Sequence, residues 1–165
     1  MPEVSARVLG SVDATPLEFW VGVPAGASLQ LDDLVCVETA VAGEPGATTV
    51  RFYGVVDMVR KRYEGASFDS DAFRAAAGTL PVDVSYAAHV QVTRVEPELF
   101  VPPHPGDEAR LVTGVEFQRA LYFDRMAKPV AIGLTRSGEP VYANLEFLDG
   151  TRDRKSTRLN SSHRL

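Results

Sequence analysis

The alternation of apolar and polar residues over 50–59 is the feature that most constrains the fold. Apolar side chains occupy every second position, which places one face of an extended strand in a core and the other outside it. The first face carries Val50, Phe52, Gly54, Val56 and Met58, and the second carries Arg51, Tyr53, Asp57 and Val59. Gly54 lies in the middle of this strand, where a missing side chain predicts sharp coiling of a sheet, as a small closed barrel requires.

The same period of two predicts further strands at about 4–8, 17–23, 33–39, 86–95, 129–135 and 141–148. The segment Pro24-Ala-Gly26 predicts a turn after the second of these, and Arg136–Pro140 predicts the turn of a C-terminal hairpin. The residues expected to point inward are Val4, Ala6 and Val8; Leu17, Phe19, Val21 and Val23; Ala88, Val90 and Val92; Val130, Ile132 and Leu134; and Val141, Ala143, Leu145 and Phe147.

Two segments between the strands have other patterns. Residues 63–81 are polar and Ala-rich, which predicts a surface connection with one helix at about 71–77. Thr113 and Glu116 form a capping-box pattern, and Phe117 and Leu121 follow one helical turn apart, so a short helix is predicted at 114–123. Many short strands and few helices favour an all-β fold: a small, closed or partly open antiparallel β-barrel of about six strands with one short helix.

Residues 153–163 have the sequence encoded by one reading frame of a common short-read sequencing adapter. We therefore expect the natural polypeptide to be cut off after about Arg152, and we treat 153–165 as a non-native, disordered tail. A natural Ser/Arg-rich tail is the alternative. The expected domain organisation is one barrel over 1–152, including the surface connection at 63–81, followed by this tail.

Excluding the tail makes the protein more acidic. The full chain has 17 Lys+Arg and 22 Asp+Glu, and the tail holds four and one of these, so residues 1–152 carry a net charge of −8. Duplex DNA binding depends on neutralising phosphates, so this charge argues against a DNA-binding role for the segment as a whole. Any contact with nucleic acid would have to come from a local patch or from a missing part of the protein.

The sequence also indicates a compartment. The single cysteine, Cys36, lies in the apolar run Leu34–Val37, which predicts a buried, unreactive thiol in a reducing cytoplasm. No continuous apolar stretch approaches the ~18 residues of a membrane span, and the N-terminus lacks a secretion signal, so no membrane association is expected.

Candidate site residues are few. His104 and Asp107 share a proline-flanked turn, which indicates a rigid turn first and a metal site second, because no second histidine or cysteine pair accompanies them. His89 is predicted on the outward side of a strand, as a surface or interface residue. The basic run Arg60–Arg62 has two interpretations, a solvated strand end or a phosphate contact.

Carboxylates occur in pairs at Asp32–Asp33 and at Glu96 and Glu98, but nothing joins them to a nucleophile or a metal. No Ser/His/Asp arrangement, Cys/His pair or complete glycine-rich phosphate loop occurs. From the residues alone we expect no catalytic residue, no cofactor site and no metal site in this chain.

An ordered series of short segments resembles the N-terminal barrel of HerA-type ATPases, called the HAS barrel because it is also similar to the small barrel of ATP synthase α and β subunits. Phe52–Val56 and the Pro-Pro-x-Pro-Gly turn are the most distinctive. The segments are Arg7–Gly10, Pro16–Val21, Leu31–Val37, Phe52–Val56, Val95–Glu98, Phe100–Gly106, Ala120–Asp124, Gly133–Gly138, Pro140–Asn144 and Phe147–Arg152.

This resemblance implies a hexameric, ATP-driven DNA translocase or helicase that works with a partner nuclease on DNA ends, a role in DNA repair. It implies ATP and Mg²⁺ for the parent protein, bound by a Walker A loop after Arg152, and DNA contacts through the motor domain. No Gly-x4-Gly-Lys-Ser/Thr occurs here, and Lys155-Ser156 lacks the preceding glycines, so no catalytic residue is carried onto this chain.

Two other functions fit parts of the sequence. The first is a stand-alone barrel that binds a protein or single-stranded nucleic acid, with Trp20 and Tyr53 stacking on bases and Arg60–Arg62 contacting phosphates. The second is a split-barrel flavin enzyme, which the absence of an evident phosphate-binding cluster disfavours. We expect this fragment to be an assembly and docking barrel without enzymatic activity.

Overall fold

A computed structural model describes residues 5–43 and 46–147. The chain forms two compact units, Met1–Val112 and Thr113–Leu165. The predicted barrel boundary at Arg152 and the adapter-like tail at 153–165 lie outside the described residues, as does Val4. Among the described residues, no helix has both the length and the apolar character needed to cross a bilayer.

The first unit is a closed antiparallel barrel of six strands, which confirms the predicted fold class. The order around the barrel is β1-β2-β5-β4-β3-β6, and pairing of β1 with β6 closes it. The strands are β1 (Ala6–Val8), β2 (Glu18–Gly22), β3 (Leu34–Val41), β4 (Thr48–Glu64), β5 (Asp83–Glu96) and β6 (Glu108–Leu111).

The barrel interior is filled by the inward faces of these strands. Valine and phenylalanine dominate, because branched and aromatic side chains pack well on a pleated surface. The cluster includes Phe19, Val21, Val35, Val37, Val50, Phe52, Val56, Ala88, Val90 and Val95. The predicted inward faces of β2 and β5 are confirmed for Phe19, Val21, Ala88 and Val90, and Val92 packs partly buried against the same cluster.

At Gly54 there is no room for a side chain between β4 and β5. A Cβ atom built there would lie 2.4 Å from Val90 Cγ1 and 2.8 Å from the carbonyl oxygen of Gln91. Both distances are well inside van der Waals contact, and the second atom belongs to the backbone, which has little freedom to move. Glycine is therefore required at this position.

Register shifts in the β4–β5 pair occur at Tyr53/Gly54 and at Val56/Met58. The second shift exchanges the two faces of β4, because a bulge adds a residue to one strand only. Met58 was predicted inward and is instead 53% exposed, opposite His89. Tyr53 was expected on the outward face, yet its side chain is fully buried.

Leu17 was also predicted inward, and this is wrong, since it is 62% exposed. The Thr15 hydroxyl accepts hydrogen bonds from the N–H groups of Leu17 and Glu18. These bonds form a turn that ends where β2 begins, so Leu17 does not share the alternation of the strand.

Strand β4 continues five residues past its predicted end, to Glu64, and this places the basic run Arg60–Arg62 inside a strand. The surface connection predicted at 63–81 therefore begins later, after Glu64, and ends at β5. It contains the predicted helix, α1 (Asp71–Ala76). Strand β6 was not predicted, because its four residues place only Ala109 in the core.

The second unit contains α2 (Gly114–Ala120), a 3₁₀ turn (Phe123–Arg125) and the predicted hairpin, β7 (Pro129–Leu134) with β8 (Pro140–Asn144). The hairpin is a separate two-stranded sheet and does not belong to the barrel. Its apolar residues Val130, Ile132 and Leu134 are exposed, and so are Leu145 and Phe147, so the prediction that these five point into a core is wrong. The strand predicted at 141–148 ends at Asn144.

The capping box at Thr113 correctly predicted where α2 begins, but the hydrogen bond expected from the Thr113 side chain is not formed. Thr113 occupies the N-cap position without a side-chain capping hydrogen bond. The N–H of Gly114 is instead satisfied by the Glu139 carboxylate, with 2.8 Å between nitrogen and Oε1. Phe123 packs between Phe117 and Tyr142, with ring centroids 6.3 and 5.4 Å away.

We expect Gly54→Ala to lower the free energy of unfolding by about 3 kcal/mol, because the added methyl group overpacks the β4–β5 crossing. Thermal and urea unfolding followed by circular dichroism measure this loss. Gly46→Ala is the matched control, since a Cβ there meets no atom within 4 Å. Equal stability of the two variants would contradict the assigned role of Gly54.

Candidate functional site

The end of the β4–β5 hairpin extends beyond the paired region of the barrel. Strand β3 pairs with β4 as far as Val55, and the last backbone bonds on that side join Val56 to Asp32 and Asp33. Strand β2 pairs with β5 over 87–91. Residues 57–64 and 83–86 therefore form a two-stranded ribbon, here named the hairpin arm, whose outer edges pair with no described strand.

An aromatic and charged cluster lies on the barrel exterior at the base of the hairpin arm. Trp20 is directly opposite His89 in the β2–β5 register, and their ring centroids are 5.0 Å apart. The guanidinium carbon of Arg60 lies 3.9 Å from the Trp20 ring centroid. A cation over an indole face contributes roughly 0.5–1 kcal/mol at an exposed site, so Arg60 is held in place by the barrel wall.

Both ring nitrogens of His89 face carboxylates. Nδ1 donates to Asp57 Oδ1 at 2.6 Å, and Nε2 lies 3.6 Å from Glu18 Oε2. The His89 side chain is 15% exposed, consistent with its predicted position on the exterior of the strand. The two carboxylates approach opposite sides of the imidazole and do not converge on one point, so the arrangement orients His89 rather than forming a metal site.

The opposite face of the hairpin arm carries a second pair of a cation and an aromatic ring. The Lys61 ammonium lies 4.5 Å from the centroid of Tyr86, whose hydroxyl bonds the backbone of Leu29. Past this pair, Lys61, Arg62, Tyr63 and Val84 line a shallow depression. The depression continues from Tyr63 to Phe68 in the connection after β4, and Phe68 is 73% exposed.

Two of the three cations of the hairpin arm, Arg60 and Lys61, differ from the other cations of the first unit in the groups that they contact. Residues 1–112 contain eight Arg and Lys, and six of these lie within 4 Å of a described carboxylate: Arg7, Arg51, Arg62, Arg74, Arg94 and Arg110. Arg60 and Lys61 lie over aromatic rings instead. Hydrogen bonds from Arg62 and then Ser85 lower the pKa of Glu64, so the carboxylate that partners Arg62 is ionised at neutral pH.

The His104–Asp107 segment is a turn, as predicted. The Asp107 carboxylate accepts hydrogen bonds from the backbone N–H of His104 and from the Thr39 hydroxyl, and the Asp107 N–H donates to the His104 carbonyl. Both bonds to the carboxylate are accepted by Asp107 Oδ2, so this side chain holds the turn together. Across residues 5–43 and 46–147, no group of three metal-ligating side chains occurs.

Two of the carboxylates singled out in the sequence, Asp33 and Glu96, have structural partners. The Asp33 carboxylate accepts from the N–H of Gln30 at 2.8 Å, and Glu96 pairs with the buried Arg94. Glu98 is exposed. Cys36 is buried, as its apolar run predicted. None of these residues is brought to the hairpin arm.

Tyr53 and Trp20, proposed together as stacking residues, are not equivalent in the structure. Tyr53 is fully buried and cannot stack on a base from solvent, whereas Trp20 is half-buried. The sequence did not identify Asp57 and Glu18 as partners of His89. The proximity of these two carboxylates to His89 depends on the register of three strands. The sequence pattern predicted only that Glu18 and Asp57 lie on the outward faces of their strands.

Comparison of the sequence with protein-family models and with curated proteins found no match. The function is therefore inferred from the geometry of the barrel and the hairpin arm, together with the order of the segments described above.

The loop beside the depression contains a carboxylate whose protonation should control local order. Backbone N–H groups of Ser67 and then Phe68 bond Asp71 Oδ2 at 3.1 Å each and lower the pKa of Asp71. A lowered pKa means that the ionised form stabilises the fold above the ordinary carboxyl range. That contribution is lost as the pH falls through the pKa of the folded state.

We expect the Asp71 carboxyl in carbon-detected NMR to titrate below the ordinary aspartate value of about 3.9. Amide exchange over 66–72 should increase as it protonates. Asp71→Asn should show the faster exchange already at neutral pH. Asp69→Asn is the control, because this neighbouring carboxylate is not bonded to those amides in the structure. Titration of Asp71 at or above the ordinary value would contradict this interpretation.

Proposed function

We propose that this chain supplies the N-terminal assembly and docking barrel of a HerA-type ATP-dependent DNA translocase or helicase. The observation that supports it is the closed, six-stranded antiparallel barrel, which contains in order the first six segments that resemble the HAS barrel, from Arg7–Gly10 to Phe100–Gly106. A fold is by itself a weak basis for function, so the order and placement of these segments carry the proposal.

The two most distinctive segments occupy positions on which the barrel structure depends. Phe52–Val56 contains Gly54, where no side chain fits between β4 and β5, and both Phe52 and Val56 are in the core. The Pro-Pro-x-Pro-Gly segment forms the turn held by Asp107 and leads into β6, the strand that closes the barrel against β1. Both segments thus serve barrel closure, which is what an assembly module requires.

The negative charge of the barrel is more compatible with docking to other protein subunits than with binding DNA. Residues 1–112 contain 16 Asp and Glu against eight Arg and Lys. Such a surface repels a duplex, whose binding depends on cations meeting phosphates. We assign DNA contacts to the motor domain of the parent protein, and subunit and nuclease contacts to the barrel.

ATP and Mg²⁺ belong to the parent protein in this proposal. A Walker A loop cradles phosphates with consecutive backbone N–H groups, neutralises them with a lysine and holds Mg²⁺ with a hydroxyl. This sequence contains no such motif, and its residues do not fit the group. No catalytic step is therefore assigned to any residue here. The parent would be a hexamer that processes DNA ends in the cytoplasm with a partner nuclease.

A second candidate, single-stranded nucleic acid binding, is favoured by one observation. Trp20 with Arg60, and Tyr86 with Lys61, place cations beside aromatic rings on the hairpin arm. Surfaces of this kind stack bases and contact phosphates. Burial of Tyr53 removes one of the stacking residues on which this candidate depended.

Sequencing the genomic locus tests the proposal directly. We expect the natural reading frame to continue past Arg152 and reach a Gly-x4-Gly-Lys-Ser/Thr motif. A genuine stop codon within a few residues of Arg152 would refute it.

Two assays on the full 165-residue chain separate the candidates. We expect no magnesium-dependent ATP hydrolysis, because the phosphate loop is missing, and no salt-sensitive binding of fluorescently labelled oligo(dT) at moderate ionic strength. ATP hydrolysis by this chain would overturn its assignment as a non-catalytic module. Clear binding that weakens as salt is raised would instead support the nucleic-acid candidate.

A further inference from the structure

We infer that the free β4 edge of the hairpin arm binds an extended, acidic segment of a partner protein by strand addition, with acidic and apolar side chains alternating along it. The inference deepens the docking role proposed above and rests on it for the biological partner. The binding surface itself is defined by residues of this chain alone.

The backbone of the hairpin arm offers the main-chain part of this interaction. From Asp57 to Glu64, β4 pairs with β5 on one side, and no described strand pairs with it on the other. A strand edge of this length presents unpaired N–H and C=O groups, and an incoming extended peptide satisfies them.

The charges of the arm select the chemistry of the partner. Arg60, Lys61 and Arg62 are consecutive, in a unit where acidic residues outnumber basic ones two to one. Arg60 and Lys61 lie outside the carboxylate pairs that neutralise the other cations. Charged residues on a free edge discourage pairing with a strand of like charge. Arg60 and Lys61 therefore disfavour a basic partner strand and favour an acidic one, whereas Arg62 is already paired with Glu64.

The two faces of the arm explain the alternation. Arg60 and Arg62 point to the face that carries Trp20, while Lys61 and Tyr63 point to the other, because successive strand residues alternate. The second face includes the depression that Tyr63 and Val84 line. An added strand thus meets Arg60 and Arg62 with one set of its side chains, and the surface of Tyr63 and Val84, with Lys61 beside it, with the other.

An acidic peptide fits this surface better than nucleic acid does. Strand addition takes its affinity from main-chain hydrogen bonds, which do not depend on net charge. A nucleic acid would depend on a positive field, yet residues 57–86 contain four Arg and Lys against five Asp and Glu. The local cations are enough to select an acidic peptide but not to offset the surrounding carboxylates for a polyanion.

The test uses the full chain and fluorescein-labelled peptides of about ten residues. The first peptide alternates Glu with Val, the second replaces each Glu by Lys, and the third is the first with a central Pro, which removes a strand hydrogen bond. Binding is measured by fluorescence anisotropy against the wild type, Arg60→Glu and Lys128→Glu. Arg60 lies on the face that meets the Glu side chains, whereas Lys128 is exposed and lies outside the hairpin arm. Both changes alter the net charge equally, so Lys128→Glu is the matched control.

We expect the Glu–Val peptide to bind the wild type and Lys128→Glu equally within twofold, and Arg60→Glu at least tenfold more weakly. The Lys–Val and Pro-interrupted peptides should bind at least tenfold more weakly than the Glu–Val peptide. Absence of Glu–Val binding, or equal loss in both charge-reversal variants, would overturn the inference. So would tighter binding of oligo(dT) at the same residues.

Sedimentation of the wild type, Arg60→Glu and Lys128→Glu distinguishes a second copy of this chain as the occupant. A concentration-dependent dimer that only Arg60→Glu loses would overturn the inference in favour of self-association. Failure of peptide binding leaves the Walker A prediction for the locus standing, and a stop codon at the locus leaves peptide binding standing. The two proposals therefore fail separately.

Discussion

The absence of a side chain at position 54 is the constraint on which the first unit depends. Strands β4 and β5 share the longest pairing in the structure, and at Gly54 they come so close that a Cβ would overlap Val90 and the Gln91 backbone. Because the two strands lie so close at Gly54, the pair can coil strongly. Strong coiling allows the six strands to close into a barrel whose wall has no free edge. The core of valine and phenylalanine side chains is packed inside a wall whose curvature this crossing permits.

The bulge just after Gly54 has a different consequence. At the Val56/Met58 shift the two faces of β4 exchange, so Met58 and Arg60 share the exterior with Trp20, while Lys61 shares the other face with Tyr86. Without the extra residue, the same sequence would present these cations on the opposite faces. One inserted residue therefore separates a strand that builds the barrel from a ribbon that projects from it.

Much of the fold was predictable, because alternation is a local property. The buried faces of β2 and β5, the antiparallel barrel class, α1 and the β7–β8 hairpin all follow from residue order. The bulges and β6 do not, since they depend on pairing between distant segments and on only one buried residue, Ala109. The contact of His89 with Asp57 needs the register of β4 against β5. Sequence showed the basic run but not that its strand edge is free.

Trp20 gives the protein an internal optical reporter. It is the single tryptophan of the chain, and it contacts the base of the hairpin arm through Arg60 and His89. Its fluorescence therefore responds to motion of the arm and to melting of the barrel, whereas the second unit contributes no tryptophan signal. Comparing this emission with the total loss of secondary structure on heating would show whether the two units melt together or in succession, without labels or added mutations.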